Sequence, residues 1–414
     1  MPGDLIADVA VVGAGALGLS TALHCALAGQ AVVVLDRRAP GSQASGRAAG
    51  LFKSVQGDEL RTFLARRSIE KVRSFPDWAG VPLDVAACGS LLVARSQGHK
   101  ALLAAETAQS RGWGVDLVTI SPGEAAERTL GYCQPAGDDH VVWCPEDVYI
   151  EEPGSLVGAY LAACQRLGVQ VLAGEEVTGV HLAGGAVAGL ETTGRQVRAP
   201  AVVDAAGAWV RQVGELAGAW VPVAPVRHQL LITEPVPEVA ARAPISRILD
   251  SAVYLRPARG GLMIGGFEAD PLPVDPRSQP PSFDTDAVPL DLGVLTRMAG
   301  QVADLVPVAG QAEAAGIAEH RGGLFTMSPD GRFLAGPVPE VPGLWVASGC
   351  NGSGFSSSPA LGEALATWIT TGSAPHGLAA LAPSRFGRLP DEVLAERGCW
   401  QYAHYYDPLA SSPG

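Results

Sequence analysis

The chain has 414 residues, of which 47% are hydrophobic and 17% charged, and its formal net charge is -13. That length can bury a large core and form two domains, and the apolar content excludes a disordered chain. The acidic balance argues against a nucleic-acid partner, since no surplus of Lys and Arg exists to replace counterions, and it gives no support for an anionic membrane surface.

Asp4 and Asp8 flank Leu5-Ile6, where a secretory signal would carry basic residues. No apolar run free of Gly, Pro and charge is long enough to span a bilayer. The seven cysteines are odd in number, scattered, and without a C-x-x-C pair. This pattern predicts reduced thiols, a cytoplasmic protein and no metal site. The only lysines are Lys53, Lys71 and Lys100, so basic work falls mostly to Arg and His.

The first element is an apolar strand, Ala10-Val11-Val12, followed by Gly13-Ala14-Gly15-Ala16-Leu17-Gly18 and a helical run to Ala28. G-x-G-x-x-G between strand and helix is a dinucleotide-binding arrangement. Gly13 permits the turn, Gly15 admits a pyrophosphate, Gly18 lets helix pack on strand, and the helix N-terminus, at Ala16 and Leu17, offers unpaired N–H groups. A second strand, Ala31 to Leu35, ends at Asp36, placed to meet ribose hydroxyls. Arg37 follows it. The small-residue stretch to Gly50 contains Ser45, Arg47, Ala48, Ala49 and Gly50. It reads either as a segment running under the cofactor or as a surface loop.

Helices are predicted over Asp58–Phe75, Ala101–Gln109, Pro122–Leu130 and Pro153–Leu167, with strands at Cys88–Ala94 and Val169–Leu172. Val177 opens a meander to Val197 and is placed among the cofactor contacts. Ala201 to Asp204 is a strand running into Ala205-Ala206-Gly207-Ala208-Trp209, small enough to approach a cofactor or simply a buried strand with a glycine stop. From Val221 to Pro307 prolines are dense. Strands at His228–Thr233, Ala252–Arg256 and Leu262–Phe267 indicate an inserted β-rich domain, with crossings near 221–225 and 316–323. The strand Leu344–Gly349 leads into a loop, Cys350-Asn351-Gly352-Ser353-Gly354-Phe355, and a helix from Ala360 to Ile369. Gly349, Asn351, Gly352, Ser353, Gly354 and Phe355 would bring a second helix N-terminus to the same cofactor. The aromatic stretch Cys399 to Tyr406 reads as an arm docked on the body or on a second subunit, which leaves a homo-oligomer open.

Four segments, Val11–Ser20 with Asp36, Val202–Trp209, Tyr254–Glu268 and Trp345–Leu361, together resemble the FAD-dependent amino-acid and amine oxidoreductases. These include D-amino-acid oxidase, glycine oxidase, and sarcosine and dimethylglycine dehydrogenases. The likeness runs to about Phe386 and is strongest to the dehydrogenase branch through Pro225–Glu234 and Val253–Arg256; their folate-binding extension has no counterpart here. The resemblance implies an α/β (α+β) fold: a doubly wound FAD-binding domain with an inserted antiparallel-sheet substrate domain. Residues 1–85, 148–220 and 318–375 fall to the first, 86–147 and 221–317 to the second, and 376–414 to a C-terminal arm. It also implies oxidation of a C–N bond by hydride transfer to flavin N5, giving an imine that hydrolyses, with O2 or another acceptor taking the electrons. The alternative is a flavin-bearing electron-transfer or structural subunit of a larger complex.

In that family, FAD is tethered through a His where this chain has Arg47, or through a Cys where it has Gly323, so FAD is expected to be non-covalent. An oxygen-activating Lys of the sarcosine oxidases falls at Met263. Arg321 matches a carboxylate-binding Arg and would pair with a substrate anion. Tyr254 and Arg256 share one face of a predicted strand and orient substrate if that face covers the flavin. His228 sits at a family position near the flavin; it reads as a proton acceptor or as a satisfied core histidine. Lys53 and His320 are weaker candidates of the same kind.

Overall fold

The computed structural model describes residues 4–407. Two large sheets define it. The first has six strands in the order Leu334–Pro337, Leu344–Ser348, Ala201–Asp204, Val9–Val12, Val32–Asp36 and Gln170–Ala173. All neighbours are parallel except the first pair. Val9–Val12 is buried along its whole length, as an interior strand covered on both faces must be. The helices Ala16–Leu27, Pro153–Arg166 and Gly354–Thr371 lie on one face, and the helix Val210–Leu216 with the meander packs on the other.

Two glycines set the close contacts here. A Cβ on Gly18 would lie 1.9 Å from the Gly13 carbonyl oxygen, so only glycine lets the first helix sit on the turn. A Cβ on Gly362 would lie 2.4 Å from Ser20 Oγ, so the first and last helices of this unit pack nearly backbone to backbone.

The last helix begins at Gly354, not at Ala360 as its sequence suggested, and Pro359 lies inside it. Proline removes the N–H that would bond the Phe355 carbonyl. The Ser358 hydroxyl donates to that carbonyl at 2.8 Å instead, which lets the helix run through.

The second sheet has eight strands: Ile317–Met327, Ala224–Thr233, Gly261–Gly266, Val253–Ala258, Ile245–Ile248, Ser90–Ala94, His140–Cys144 and Val118–Ile120. It is antiparallel except where Ile245–Ile248 meets Ser90–Ala94, so the inserted sheet is mixed rather than wholly antiparallel. One face carries Leu231, Leu255 and Ile264 against the helix Leu292–Gln301. The other carries Leu230 and Met263 against Ala49 of the cofactor-side loop. The period-two reading of Val253–Arg256 therefore holds. The crossing expected at 316–323 lies within the strand Ile317–Met327, which pairs with Ala224–Thr233 along nearly its whole length. Its glycines serve packing: a Cβ on Gly322 would meet the His228 carbonyl oxygen at 2.9 Å.

The helices Glu59–Arg73 and Gly354–Thr371 of the cofactor side are joined electrostatically. Glu363 accepts from Arg67 at 2.9 and 3.0 Å and from Lys71 at 2.9 Å. Burial alone would raise its carboxyl, but those two cations outweigh it and hold the pKa down to about 2. A carboxyl depressed below its unfolded value stabilises the fold above the unfolded pKa, and that contribution disappears as pH falls through the folded one. Thermal unfolding followed from neutral pH toward pH 2 is expected to show a steep acid limb. Glu363→Gln should flatten it and cost about 2 kcal/mol at neutral pH.

Among the described residues, no helix is long and apolar enough to cross a membrane. No group of three or more His, Cys, Asp or Glu there could hold a metal ion.

Candidate active site

A cavity of about 700 Å³ opens at the C-terminal ends of the parallel strands, between the two sheets. The glycine turn and the first helix contribute Gly13, Gly15, Ala16 and Leu17 to its wall. The second strand contributes Asp36 and Arg37, and the following stretch Ser45 and Ala48. Val177, Ala206, Gly207 and Trp209 line it from the meander and the strand end, and Gly352, Gly354 and Phe355 from the late loop and helix.

The donor set suits a dinucleotide. Neither N-cap residue, Gly15 or Ser353, caps its helix with a side chain; the Ala16 N–H donates to the Ser45 hydroxyl at 3.0 Å, and no carboxylate among the described residues bonds the first-turn N–H groups of either helix. The Ser348 hydroxyl lines the cavity, is buried, and has no hydrogen-bond partner in the protein. Gly13 sits at φ +105°, where side chains are strained, and a Cβ there would lie 2.5 Å from the Ala205 carbonyl oxygen. Asp36 accepts from the Ala14 and Arg38 N–H groups at 2.7 and 2.8 Å, one on each oxygen. Each oxygen keeps a lone pair for a hydroxyl. Burial raises its pKa.

Several expected cofactor contacts act at one remove. Gly18, Gly349, Asn351 and Ser353 are not on the wall. Asn351 braces the late loop, accepting from the Ser328 N–H at 2.9 Å and donating to the Gly349 carbonyl at 2.6 Å. Other contacts went unread in the sequence. The proline-rich loop covers the outer side, with Thr285 donating to Gln43, Asp286 paired with Arg47, and Phe283 accepting from Arg37 at 2.8 Å. Only its composition was legible.

A second cavity of about 70 Å³ adjoins the first and shares Ala44, Ala48, Phe325, Gly352 and Phe355 with it. Lys53, His228, Tyr254 and Arg321 line it, with Arg47, Ala49, Gly50, Gly323 and Tyr405. Four of the five expected catalytic residues thus converge. Arg256 does not line it. It is fully buried, and its three nitrogens donate to the carbonyls of Ala49, Pro257 and Glu151 at 2.6–2.9 Å. It pins the 48–50 loop to the sheet and does not reach the cavity wall. His320 lies away from the cavity, bonded to Gln229 at 3.0 Å.

Arg321 is buried. One Nη donates to the Ala48 carbonyl at 3.0 Å, its contact to Glu319 is 3.3 Å, and its Nε has no partner. Glu319 is drawn away by Arg259 at 2.7 Å. His228 has both ring nitrogens occupied, by the Tyr402 and Tyr254 hydroxyls at 2.8 Å each. Burial, helped by the Lys53 charge, pushes its pKa down to about 3. It is a neutral ring that orients Tyr254. The Tyr254 ring has room because Gly265 lies beside it: a Cβ there would fall 2.3 Å from the ring.

The aromatic arm docks on this body, one of the two readings its sequence left open. Asp391–Ala403 is a helix, and the segment packs on this body. Tyr402 is fully buried against Val226, Phe267 and Met327, and Tyr405 stacks on Phe267 with centroids 4.0 Å apart. The Lys53 ammonium donates to the Tyr405 hydroxyl at 2.8 Å.

A largely parallel sheet with a helix N-terminus at its glycine turn, facing a second sheet across two adjoining cavities, fits a flavin-type oxidoreductase. The chain belongs to the DAO family of FAD dependent oxidoreductases, whose family model matches residues 8–368. It is 28% identical over 379 residues to 4-methylaminobutanoate oxidase (formaldehyde-forming) of Paenarthrobacter nicotinovorans, covering 91% of this chain and 45% of that protein. It is 28% identical over 411 residues to mitochondrial sarcosine dehydrogenase of Mus musculus, covering 97% and 44%. The chain therefore spans less than half the length of these curated relatives. The L-proline dehydrogenase structure from P. horikoshii superposes with TM-score 0.82 at 22% identity, covering 93% of this chain and 98% of that one. Glycine oxidase from Geobacillus kaustophilus superposes at 0.79 and 24% identity, covering 93% and 100%. The fold is shared with both.

Proposed function

We propose that the protein oxidises the C–N bond of a small amino acid or N-methyl amino acid, releasing an imine that hydrolyses. The observation that carries this is Arg321, buried, with an unpartnered Nε, in the wall of a small cavity adjoining the dinucleotide cavity. FAD would lie with its pyrophosphate at Gly15 and the first helix, its ribose at Asp36, and its ring toward Gly352 and Phe355. When bound, it supplies the acceptor for hydride from the substrate carbon. The chain's own residues hold the substrate: Arg321 takes a carboxylate, Tyr254 is aimed by His228, and Phe325 and Tyr405 exclude water. The similarity to 4-methylaminobutanoate oxidase and sarcosine dehydrogenase supports an N-methyl amine, and the size of the cavity supports a small one. O2 or another acceptor would reoxidise the flavin. The free thiols suit a cytoplasmic setting.

The test is anaerobic mixing of the FAD-loaded protein with a panel of amines and amino acids. Bleaching of the flavin band by a carboxylate-bearing amine is the expected result. A flavin that no member of the panel bleaches would favour the electron-transfer or structural subunit.

FAD is proposed to be non-covalent. Arg47 and Gly323 occupy the family's tether positions. Cys350 lines the cavity, but burial raises its thiol to about 12, so it stays protonated and a poor nucleophile. Acid precipitation should leave a colourless pellet and a yellow supernatant; yellow retained in the pellet would contradict the proposal.

A further inference from the structure

An amine gives up hydride from its neighbouring carbon only when the nitrogen lone pair is free, so an ammonium substrate must first lose a proton. His228 is unsuited to take it: both nitrogens are engaged, and its ring is nearly non-basic. An arginine guanidinium, as at Arg321 and Arg256, offers only N–H donors and no acceptor for a proton. Lys53 and Tyr405 remain on the small cavity's wall beside Tyr254, and Tyr405 lies beyond residues 8–368, which the family model matches.

We propose that the Tyr405 hydroxyl, paired with the Lys53 ammonium, is the base that takes the substrate's ammonium proton. This rests on the amine-oxidation reading above. Lys53 Nζ donates to Tyr405 Oη at 2.8 Å and lies 4.7 Å from the Tyr405 ring centroid. Ser353 Oγ lies 3.4 Å from the same hydroxyl, at the start of the last cofactor-side helix. Tyr405 and Lys53 both line the small cavity, with Tyr254 and Arg321.

Its position is enforced. Tyr405 lies flat on Phe267, with an interplanar angle of 7°. Tyr402, one turn earlier, is locked by His228. The helix beneath them packs so closely that a Cβ on Gly398 would lie 2.6 Å from the Ala224 Cβ. The charged and titratable groups around the pair are Tyr406, Arg247, Arg61, Tyr254 and His228. Burial alone would raise the Tyr405 phenol, but the Lys53 ammonium outweighs it and holds the phenol below its ordinary value. Burial likewise opposes the Lys53 charge, and the two neighbouring tyrosines more than restore it.

The step balances simply. The N–H bond of the substrate ammonium breaks, its proton goes to the phenolate oxygen, and the nitrogen keeps the electron pair. With FAD bound, hydride would then leave the adjacent carbon as the C–N double bond forms, the flavin supplying the two-electron acceptor. Lys53 stays charged throughout, and the phenol returns its proton to water after product leaves.

Two measurements on the FAD-loaded protein test this. Ultraviolet difference titration should show one tyrosine ionising below the rest. That signal should vanish in Tyr405→Phe, move to higher pH in Lys53→Met, and persist in Lys53→Arg. Anaerobic flavin reduction should slow as pH falls through the same pKa. Tyr405→Phe keeps the stack on Phe267 and should reduce about 10²-fold more slowly at neutral pH, recovering where the free amine predominates. Lys53→Met should shift the acid limb upward. A Tyr405→Phe protein that retains the low-ionising tyrosine, or whose reduction rate and pH profile match wild type, overturns the proposal. If no amine bleaches the wild type, the amine-oxidation reading falls and this base assignment falls with it; the titration then reports only on the Lys53–Tyr405 contact.

Discussion

Arg321→Met is expected to lower kcat/KM for a carboxylate-bearing amine by about 10²–10³-fold while leaving a carboxylate-free amine near wild type. A planar guanidinium meets a carboxylate with two charge-assisted hydrogen bonds, each worth about 1.5–3 kcal/mol in a dry site. Arg321 is buried, and Glu319 engages it only at 3.3 Å because Arg259 holds that carboxylate more closely. Its charge is thus under-satisfied within the protein. Arg321→Lys should recover little, since a point charge lacks the fork geometry. The same side chain donates to the Ala48 carbonyl, so flavin content must be measured alongside. Equal losses for acidic and neutral amines, with full flavin, would refute the carboxylate role.

Gly18→Ala should nearly abolish FAD retention and cost on the order of 3 kcal/mol of stability or more. The added methyl would sit 1.9 Å from the Gly13 carbonyl oxygen, which is backbone and cannot swing aside. Either the helix lifts from the turn or the turn opens, and both displace the N–H groups that would hold the pyrophosphate. Gly158→Ala is the control. It lies in the helix Pro153–Arg166 with nothing within 4 Å of its added Cβ, so it should be neutral or stabilising by about 0.5–1 kcal/mol. Absorbance ratio and thermal midpoint of the two proteins read the difference directly. A Gly18→Ala protein that purifies with full flavin would refute the packing role.

The cofactor unit was legible because its signals are local. Gly13, Gly15 and Gly18 sit within six residues, Asp36 ends an apolar strand, and Ala205–Trp209 follow another; each needs only its neighbours to be read. The substrate side was less legible because its meaning is relational. The sequence offers Arg321, Tyr254 and Arg256 alike, and Arg256 differs only in that its donors go to backbone carbonyls away from the small cavity. Nothing local says that Gly265 is absent a side chain for the sake of Tyr254, or that Tyr402 bonds His228 from far along the chain. The strand Ile317–Met327 was hidden by its own glycines, and the start of the last helix by Pro359, whose lost bond Ser358 replaces. Tertiary partners outweighed local propensity at each of these places.

The central position of Val9–Val12 has a consequence for how the molecule is made. One of its neighbours is the nearby strand Val32–Asp36, but the other is Ala201–Asp204, which in turn needs Leu344–Ser348. A chain leaving the ribosome therefore holds this fully buried strand half-paired until about half of the protein has been synthesised, and its second neighbour stays half-paired until Leu344–Ser348 follows. Refolding from denaturant should be slow and prone to aggregation for the same reason, with free FAD raising the yield by trapping the completed sheet.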